Sequence, residues 1–502
     1  MSRPPRTIWN IAANTTGTVV NMLSGLLVMP YLIRTLGSGT YGLWILIGTM
    51  TGYFGVLDLG ISAALGRLIA AHRARGAHEN VNVLMSTACA LLLVVCGLVC
   101  LATCLVLVIF PRVFTVPPER LWDVRFSIIL VGLNLALTFP ASIFAGFLWS
   151  RERFDLQNAV DVPALTLRTV LSLTAVSALM PLTSLGVITF AVNTLGNVAR
   201  MLLCFRIDPG LRIARQFVFR DRIREIFAIG GWMSVISWSR TLIPQIAPTL
   251  IGARLGNAAV TTFTVGRQLV TYTNIFANSA TQVMAPRAIV AFATGSVATQ
   301  MRLLLDGGRF AYALTLFFFG GLLCLGMPFI HWWQHGTQDS AYMLLLVLMA
   351  GESLPMSQWL TYSVLLGANR QRLLALLAVV EGALTLILIM ALVRDLGIVG
   401  VCIGTAIAAF LTRGLFQWAY GCRLIGISVA SYVRRVFLPV SALASLPIAA
   451  LFVATVLLGP TTFVAILLLG AAYAVLYALV LGWALLGYAR LRALVLTAHL
   501  PG

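Results

Sequence analysis

Apolar residues run along this chain in long blocks, broken by short polar stretches rich in Arg, Gly, Pro and Asp. A block of about 20 apolar residues crosses the hydrocarbon core of a bilayer as a helix. Charge and turn residues bound fourteen such blocks, at about 10–33, 40–66, 82–110, 124–149, 156–180, 184–205, 225–252, 258–286, 303–330, 341–367, 371–393, 397–421, 432–458 and 462–488. The pattern predicts an all-α polytopic membrane protein. No loop is long enough for a folded aqueous domain. The longest polar stretch, 206–225, lies near the middle and reads as a linker. Its segment FVFRDRIREIF, residues 217–227, has the composition of a basic amphipathic helix on the inner membrane surface.

Composition agrees with this pattern. Of 502 residues 60% are hydrophobic and 10% charged, at a mean hydropathy of +0.96, whereas a soluble domain carries roughly 25% charged residues. The net charge of +19 would point to nucleic acid in a soluble protein. Here the basic residues, all Arg, sit between apolar blocks, and nucleic acid is not an expected partner. Alternating sides from a cytoplasmic N-terminus puts Arg151 with Arg153, the linker arginines, Arg370 with Arg372, Arg434 with Arg435 and Arg490 with Arg492 inside. Outside fall only Arg34, Arg112, Arg120, Arg125, Arg254 and Arg394. Short inner loops collect Arg, so the bias predicts an even number of crossings with both termini cytoplasmic. The N-terminal MSRPPRTIWN lacks a cleavage site and is expected to stay as a signal anchor. Cys96, Cys100 and Cys104 are spaced by four on one helix face and read as small core residues. No zinc spacing occurs, and neither metal nor cofactor is expected.

The two halves are related. PYLIRTLG, 30–37, recurs as PTLIGARLG, 248–256; Arg151 and Arg153 recur as Arg370 and Arg372; ALTL at 164–167 recurs at 383–386. These shifts of 218 to 219 positions span six helices and keep each helix's orientation. The expectation is two parallel six-helix bundles about a pseudo-twofold axis along the membrane normal, with two further C-terminal helices. The divisions fall at 1–205, 206–224, 225–425 and 426–502. Such a pair of bundles leaves a central cleft that rocking opens to either side, the geometry of a transporter.

The segment PYLIRTLGSGTYGLWILIGTMTGYFGVLDLGISAALGRLIA, 30–70, carries Leu36-Gly37, then Tyr41-Gly42 with Trp44, then Leu57-Asp58-Leu59-Gly60 and Arg67. It resembles the polysaccharide and O-antigen flippase branch of the multidrug, oligosaccharidyl-lipid and polysaccharide exporter superfamily. The doubled six-helix pattern and the two extra helices fit as well. The resemblance implies a flippase of the bacterial inner membrane. It would carry an undecaprenyl-pyrophosphate-linked oligosaccharide from the cytoplasmic to the periplasmic leaflet for lipopolysaccharide, capsule or exopolysaccharide biosynthesis. A polysaccharide polymerase and a chain-length regulator would be its partners, beside the membrane lipids. A cation-coupled drug exporter and a lipid II flippase share the fold and stand as alternatives.

The intramembrane charges point independently to an anionic cargo. Arg168, Arg240 and Arg267 lie well inside the fifth, seventh and eighth spans. Each costs at least about 2.5 kcal/mol at the bilayer centre when it faces lipid, so the expectation is that they face the protein interior or a wet cavity. A guanidinium binds phosphate through paired donors and keeps its charge. The other reading pairs each Arg to a carboxylate or helix end. Arg200 and Arg413, nearer the inner ends of their helices, are expected to snorkel. Glu381, Glu352, Asp161 and Asp58 are the candidates for coupling to a proton or Na⁺. Asp161 and Glu381 nearly coincide in the repeat, although Asp161 is also placed to pair with Arg153.

The outer stretch HWWQHGTQD, 331–339, offers two His and an Asp for a metal, or Trp332 and Trp333 for sugar stacking. The default at a membrane edge is an aromatic belt. A membrane polymerase or ligase would need a long outer loop or a nucleotide-binding motif. Neither a DxD, a Walker nor a nucleophile-elbow motif is present, so the chain does not read as an enzyme.

Overall fold

A computed structural model describes residues 5–74, 79–176, 179–282 and 297–497, almost all of them helical and none in a strand. The end of the eighth expected span, 283–286, lies outside the described residues. In chain order the helices are α1 (Pro5–Gly52), α2 (Ile61–Ala74), α3 (Glu79–Val113), α4 (Leu121–Ser150), α5 (Phe154–Thr174), α6 (Pro181–Ile207), α7 (Arg220–Leu255) and α8 (Asn257–Gln282). They continue with α9 (Val297–Trp333), α10 (Ala341–Ser357), α11 (Trp359–Gly367), α12 (Gln371–Ala409), α13 (Gln417–Ile425), α14 (Val429–Tyr432), α15 (Leu438–Leu458) and α16 (Phe463–Thr497). Among the described residues nine segments are long and apolar enough to cross a membrane. Two of them, Thr16–Asp58 and Gln371–Ile425, contain a break at Gly37 and Gly397 and so supply two arms each. The more polar α5, α7 and α8 occupy the fifth, seventh and eighth expected spans, so among the described residues each expected span falls largely on helix. This is a multi-pass, all-α membrane protein.

The chain folds as two compact units, 1–261 and 262–502. In the first, α4 packs against α3 and α6 while α5 packs against α1 and α6. The buried Asp123 of α4 accepts the N–H groups of Leu182 (3.2 Å) and Thr183 (2.7 Å), satisfying two orphan donors at the start of α6. In the second, α15 and α16, the two extra helices, pack on α9. Tyr473 and Tyr477 there donate to the carbonyls of Phe317 and Ala313 at 3.0 and 2.6 Å.

The backbone carries marks of the repeat. Gly37 (φ 79°, ψ 157°) and Gly256 (φ 88°, ψ 171°) hold equivalent positions in the two halves, and each turns the chain from one helix into the next. That conformation is open to Gly without strain. The turns after the fourth and tenth spans also match. Glu152 (φ 55°) and Asn369 (φ 59°) are left-handed caps, and the following N–H of Arg153 and Arg370 donates back to Leu148 (3.0 Å) and Leu365 (2.9 Å). This geometry pairs Arg153 with Arg370, where sequence matching pairs Arg151 with it.

Three local expectations are corrected. The second span is not continuous: a 3₁₀ turn, Tyr53–Asp58, and left-handed Leu59 and Gly60 interrupt it before α2 begins. The linker helix starts only at Arg220, after a 3₁₀ turn at Arg215–Phe217. Residues 218–219 are extended, and 220–227 are the opening turns of α7. The cysteine stripe faces the core only in part: Cys96 packs against it, while Cys100 and Cys104 are exposed on α3; an outward face on a spanning helix meets lipid, which tolerates a thiol.

Close packing at Gly42 yields a stability test. A Cβ there would fall on the carbonyl of Asn257, a backbone atom that cannot rotate away, whereas a Cβ at Gly48 in the same helix meets nothing within 4 Å. Gly42→Ala is expected to lose about 1–3 kcal/mol through overpacking. Gly48→Ala is expected to gain about 0.5–1 kcal/mol from helix entropy. Thermal unfolding of the two purified variants side by side checks the sign of each.

Candidate functional site

The second unit holds a buried ionic cluster. Glu352 of α10 and Glu381 of α12 are 3% and 5% exposed, and Arg413 lies between their carboxylates. Its Nε donates to both oxygens of Glu381 at 3.0 and 2.9 Å, and one terminal nitrogen donates to both oxygens of Glu352 at 3.1 and 3.2 Å. Removing one partner from such a cluster exposes a buried charge. Arg413 sits on a π-helical turn, Phe410–Phe416, inserted between α12 and α13. Such turns are rare and shift the register of a helix by one residue. Here the shift carries the guanidinium onto two carboxylates that come from different helices. The side chain keeps 36% of its surface accessible.

Arg267 of α8 adds a second positive charge. It is half-buried, and its field reaches Glu352, after that of Arg413, and also Cys402. Its guanidinium makes no hydrogen bond or ion pair among the described residues. With it the cluster contains two carboxylates and two guanidiniums.

In the first unit Arg200 of α6 donates to Asp161 of α5 at 2.5 Å and to Asn197 at 2.9 Å. Arg200 and Arg413 therefore do not snorkel: both sixth helices of the repeat supply an Arg to a carboxylate on the fifth. Counted from the helix starts at Phe154 and Gln371, Glu381 lies three positions deeper than Asp161, on the same face. Asp161 is not held by Arg153, which forks onto Asp155 at 3.0 and 3.3 Å and keeps that carboxyl below the usual carboxylate range. Arg168 of α5 is half-buried and makes no hydrogen bond or ion pair among the described residues. Arg240 lies on the accessible side of α7.

Asp58 has a local partner set. Its Oδ1 accepts the Ser62 hydroxyl at 2.6 Å and the Ser62 N–H at 3.4 Å, and that hydroxyl meets Ser142 at 2.8 Å. It caps the first turn of α2 where the second span breaks. The Leu-Asp-Leu-Gly motif is thus a helix break with its own cap. In the 331–339 stretch His331 Nδ1 meets Asp339 at 2.9 Å, Trp333 is buried, and Trp332 stacks on Phe463 at 4.3 Å. Among the described residues no group of three or more His, Cys, Asp or Glu is placed to hold a metal ion.

Sequence reasoning missed Arg413 and Arg200 as partners of the carboxylates. The available signal was the repeat itself, which puts one Arg late in each sixth helix and one carboxylate in each fifth.

Residues 8–289 match the family described as polysaccharide biosynthesis protein, more than half of the chain. The chain belongs to that family. Across 86% of both chains it is 22% identical to the membrane protein EpsK of Bacillus subtilis, which is itself uncharacterised. It is 21% identical to a Shigella flexneri protein assigned as an O-antigen transporter, over 84% of this chain and 98% of that one. Among solved structures, the lipid II flippase MurJ in an inward closed conformation superposes with a TM-score of 0.71 at 12% identity, covering 94% of this chain and 98% of that one. An inward-facing multidrug resistance MATE family transporter of the MOP superfamily gives 0.65 at 14% identity, covering 82% of this chain and 94% of that one. The fold is the one the sequence resemblance implied. It is a multi-pass membrane protein with the fold of the multidrug, oligosaccharidyl-lipid and polysaccharide exporters.

Proposed function

We propose that this polysaccharide biosynthesis protein flips an undecaprenyl-pyrophosphate-linked oligosaccharide from the cytoplasmic to the periplasmic leaflet of a bacterial inner membrane by alternating access. Both termini are then cytoplasmic. The observation that carries the reading is the uneven use of intramembrane guanidiniums. Arg200 and Arg413 are spent on carboxylates, while Arg168 and Arg267 have no such bond among the described residues. A cation left without a carboxylate inside a membrane protein is costly to keep, and an anionic headgroup that visits it offsets that cost. In this reading Arg240, Arg267 and Arg168 bind the pyrophosphate, and the polyprenyl tail stays in lipid.

Glu381, Glu352, Asp161 and Asp58 are the proposed coupling carboxylates, and their surroundings support the role unequally. Glu352 and Glu381 share one forked guanidinium, so a proton or Na⁺ arriving there changes the charge balance that holds Arg413. Asp161 has an Arg of its own, and Asp58 serves as a helix cap.

Depletion of the protein in its host tests the proposal. Lipid-linked oligosaccharide should accumulate on the cytoplasmic leaflet while surface glycan falls. Unchanged surface glycan under full depletion would refute it.

A further inference from the structure

Residues 208–219, which join α6 to α7, form an ordered strap on the surface of α3. Asp208 is tied to Arg151 at its start. Asn82 then holds the strap from both directions, donating to the Gly210 carbonyl at 3.0 Å and accepting the Arg212 N–H at 3.0 Å. Ser86 accepts the Ala214 N–H at 3.2 Å, and Thr87 accepts that of Phe219 at 3.3 Å. Leu211 is buried, and Ile213 packs on the core of the first unit. The backbone and the side chains of Leu211 and Ile213 are therefore committed inward.

What remains outward is basic and partly apolar. Arg212 and Arg215 are exposed, as is Arg206 at the end of α6, and none of the three side chains makes an ion pair or hydrogen bond among the described residues. Asp208 cannot neutralise them, because it is already paired with Arg151. Val218 and Phe219, at 37% and 49% exposure, stand beside them, with Phe205 one residue before Arg206. Guanidiniums interleaved with exposed apolar side chains match a bilayer surface, where phosphate and hydrocarbon meet.

We propose that this strap is a binding surface for anionic phospholipid headgroups, with Arg206, Arg212 and Arg215 each taking a phosphodiester and Phe219 seated at the headgroup boundary. A basic loop free in water would attract the same lipids only diffusely. Here three side chains of α3 fix the backbone, so less freedom is lost on binding. The spacing favours several lipids over one diphosphate. Ala214 is extended (φ −145°, ψ 151°), and three residues of extended chain span up to about 10 Å, farther than the neighbouring phosphates of a single diphosphate. The surface is distinct from the intramembrane arginines proposed to bind cargo, and the inference stands if that reading fails.

Native mass spectrometry of the full-length protein, exchanged into micelles containing dioleoyl-phosphatidylglycerol or dioleoyl-phosphatidylcholine, tests it. The protein should retain phosphatidylglycerol in preference to phosphatidylcholine, and the preference should fade at high salt. The triple variant Arg206→Gln, Arg212→Gln, Arg215→Gln should lose that retention by roughly tenfold. The matching Lys triple should keep most of it, because a phosphodiester monoanion asks for charge more than for a fork. Asn82→Ala, which loosens the strap and leaves every charge in place, should weaken retention to an intermediate level. Equal retention of both lipids by the unaltered protein, or undiminished phosphatidylglycerol in the Gln triple, would overturn the proposal. Retention of a polyprenyl diphosphate in place of phosphatidylglycerol would overturn it too, and would make the strap a cargo-loading surface.

Discussion

Arg413→Gln is expected to destabilise the protein by about 3–5 kcal/mol, the range for stranding one partner of a buried ion pair. Glu352 and Glu381 are 3% and 5% exposed and, among the described residues, take their guanidinium hydrogen bonds from this one side chain. Without it two buried carboxylates lose these bonds, and the field of Arg267 is left to act on Glu352. Thermal unfolding in detergent, followed by tryptophan fluorescence, should show a large drop. The triple variant Glu352→Gln, Glu381→Gln, Arg413→Gln neutralises the three hydrogen-bonded groups, leaves half-buried Arg267 as the remaining charge of the cluster, and should recover part of the loss, since neutral replacements of buried ion clusters are tolerated. Glu381→Gln alone should fall between, because Arg413 then still has Glu352. An Arg413→Gln variant that melts like the unaltered protein would show that the cluster does not hold α10, α12 and the π-helical turn together.

The helices were legible because a membrane forces each span to be about 20 apolar residues long and leaves Arg in the loops. Gly37 and Gly256 announced their turns through the repeated Leu-Gly. The register of the ion pairs was not legible. Sequence gives the depth of Arg413 along its helix, but the direction it faces depends on a one-residue π insertion, Phe410–Phe416, that no apolar period records. The partners also lie 61 and 32 positions away, on helices whose packing order the sequence does not state. The strap was hidden for a related reason. Asn82, Ser86 and Thr87 sit at the start of an apolar run and look like ordinary helix residues, yet they capture the backbone of residues more than 120 positions later. At Asp58 the sequence showed an acidic residue within an apolar block but not the helix break, which gives it a capping bond with Ser62.

Arg267→Gln is expected to abolish outward transfer of a lipid-linked oligosaccharide while leaving the protein folded, because among the described residues this guanidinium makes no ion pair, and Glu352 keeps its bonds to Arg413. Arg168→Gln should act in the same direction from the first unit. Lys at either position separates two ways of recognising the headgroup. A site that needs only charge tolerates Lys, and one that uses the paired donors of the fork loses as much with Lys as with Gln. Arg413→Gln is a poor probe of the same question, since its effect on folding would dominate.

The direct measurement uses the purified protein in proteoliposomes loaded with a fluorescent undecaprenyl-pyrophosphate oligosaccharide, with a membrane-impermeant quencher reporting how much of the lipid has changed leaflet. The account predicts rapid protein-dependent translocation for the unaltered chain, a rate at the level of protein-free vesicles for Arg267→Gln at equal reconstitution, and no transfer of a lipid whose pyrophosphate is replaced by a neutral linkage. Translocation that is unchanged in Arg267→Gln and indifferent to the pyrophosphate would contradict it, and so would the absence of any transfer by the unaltered chain.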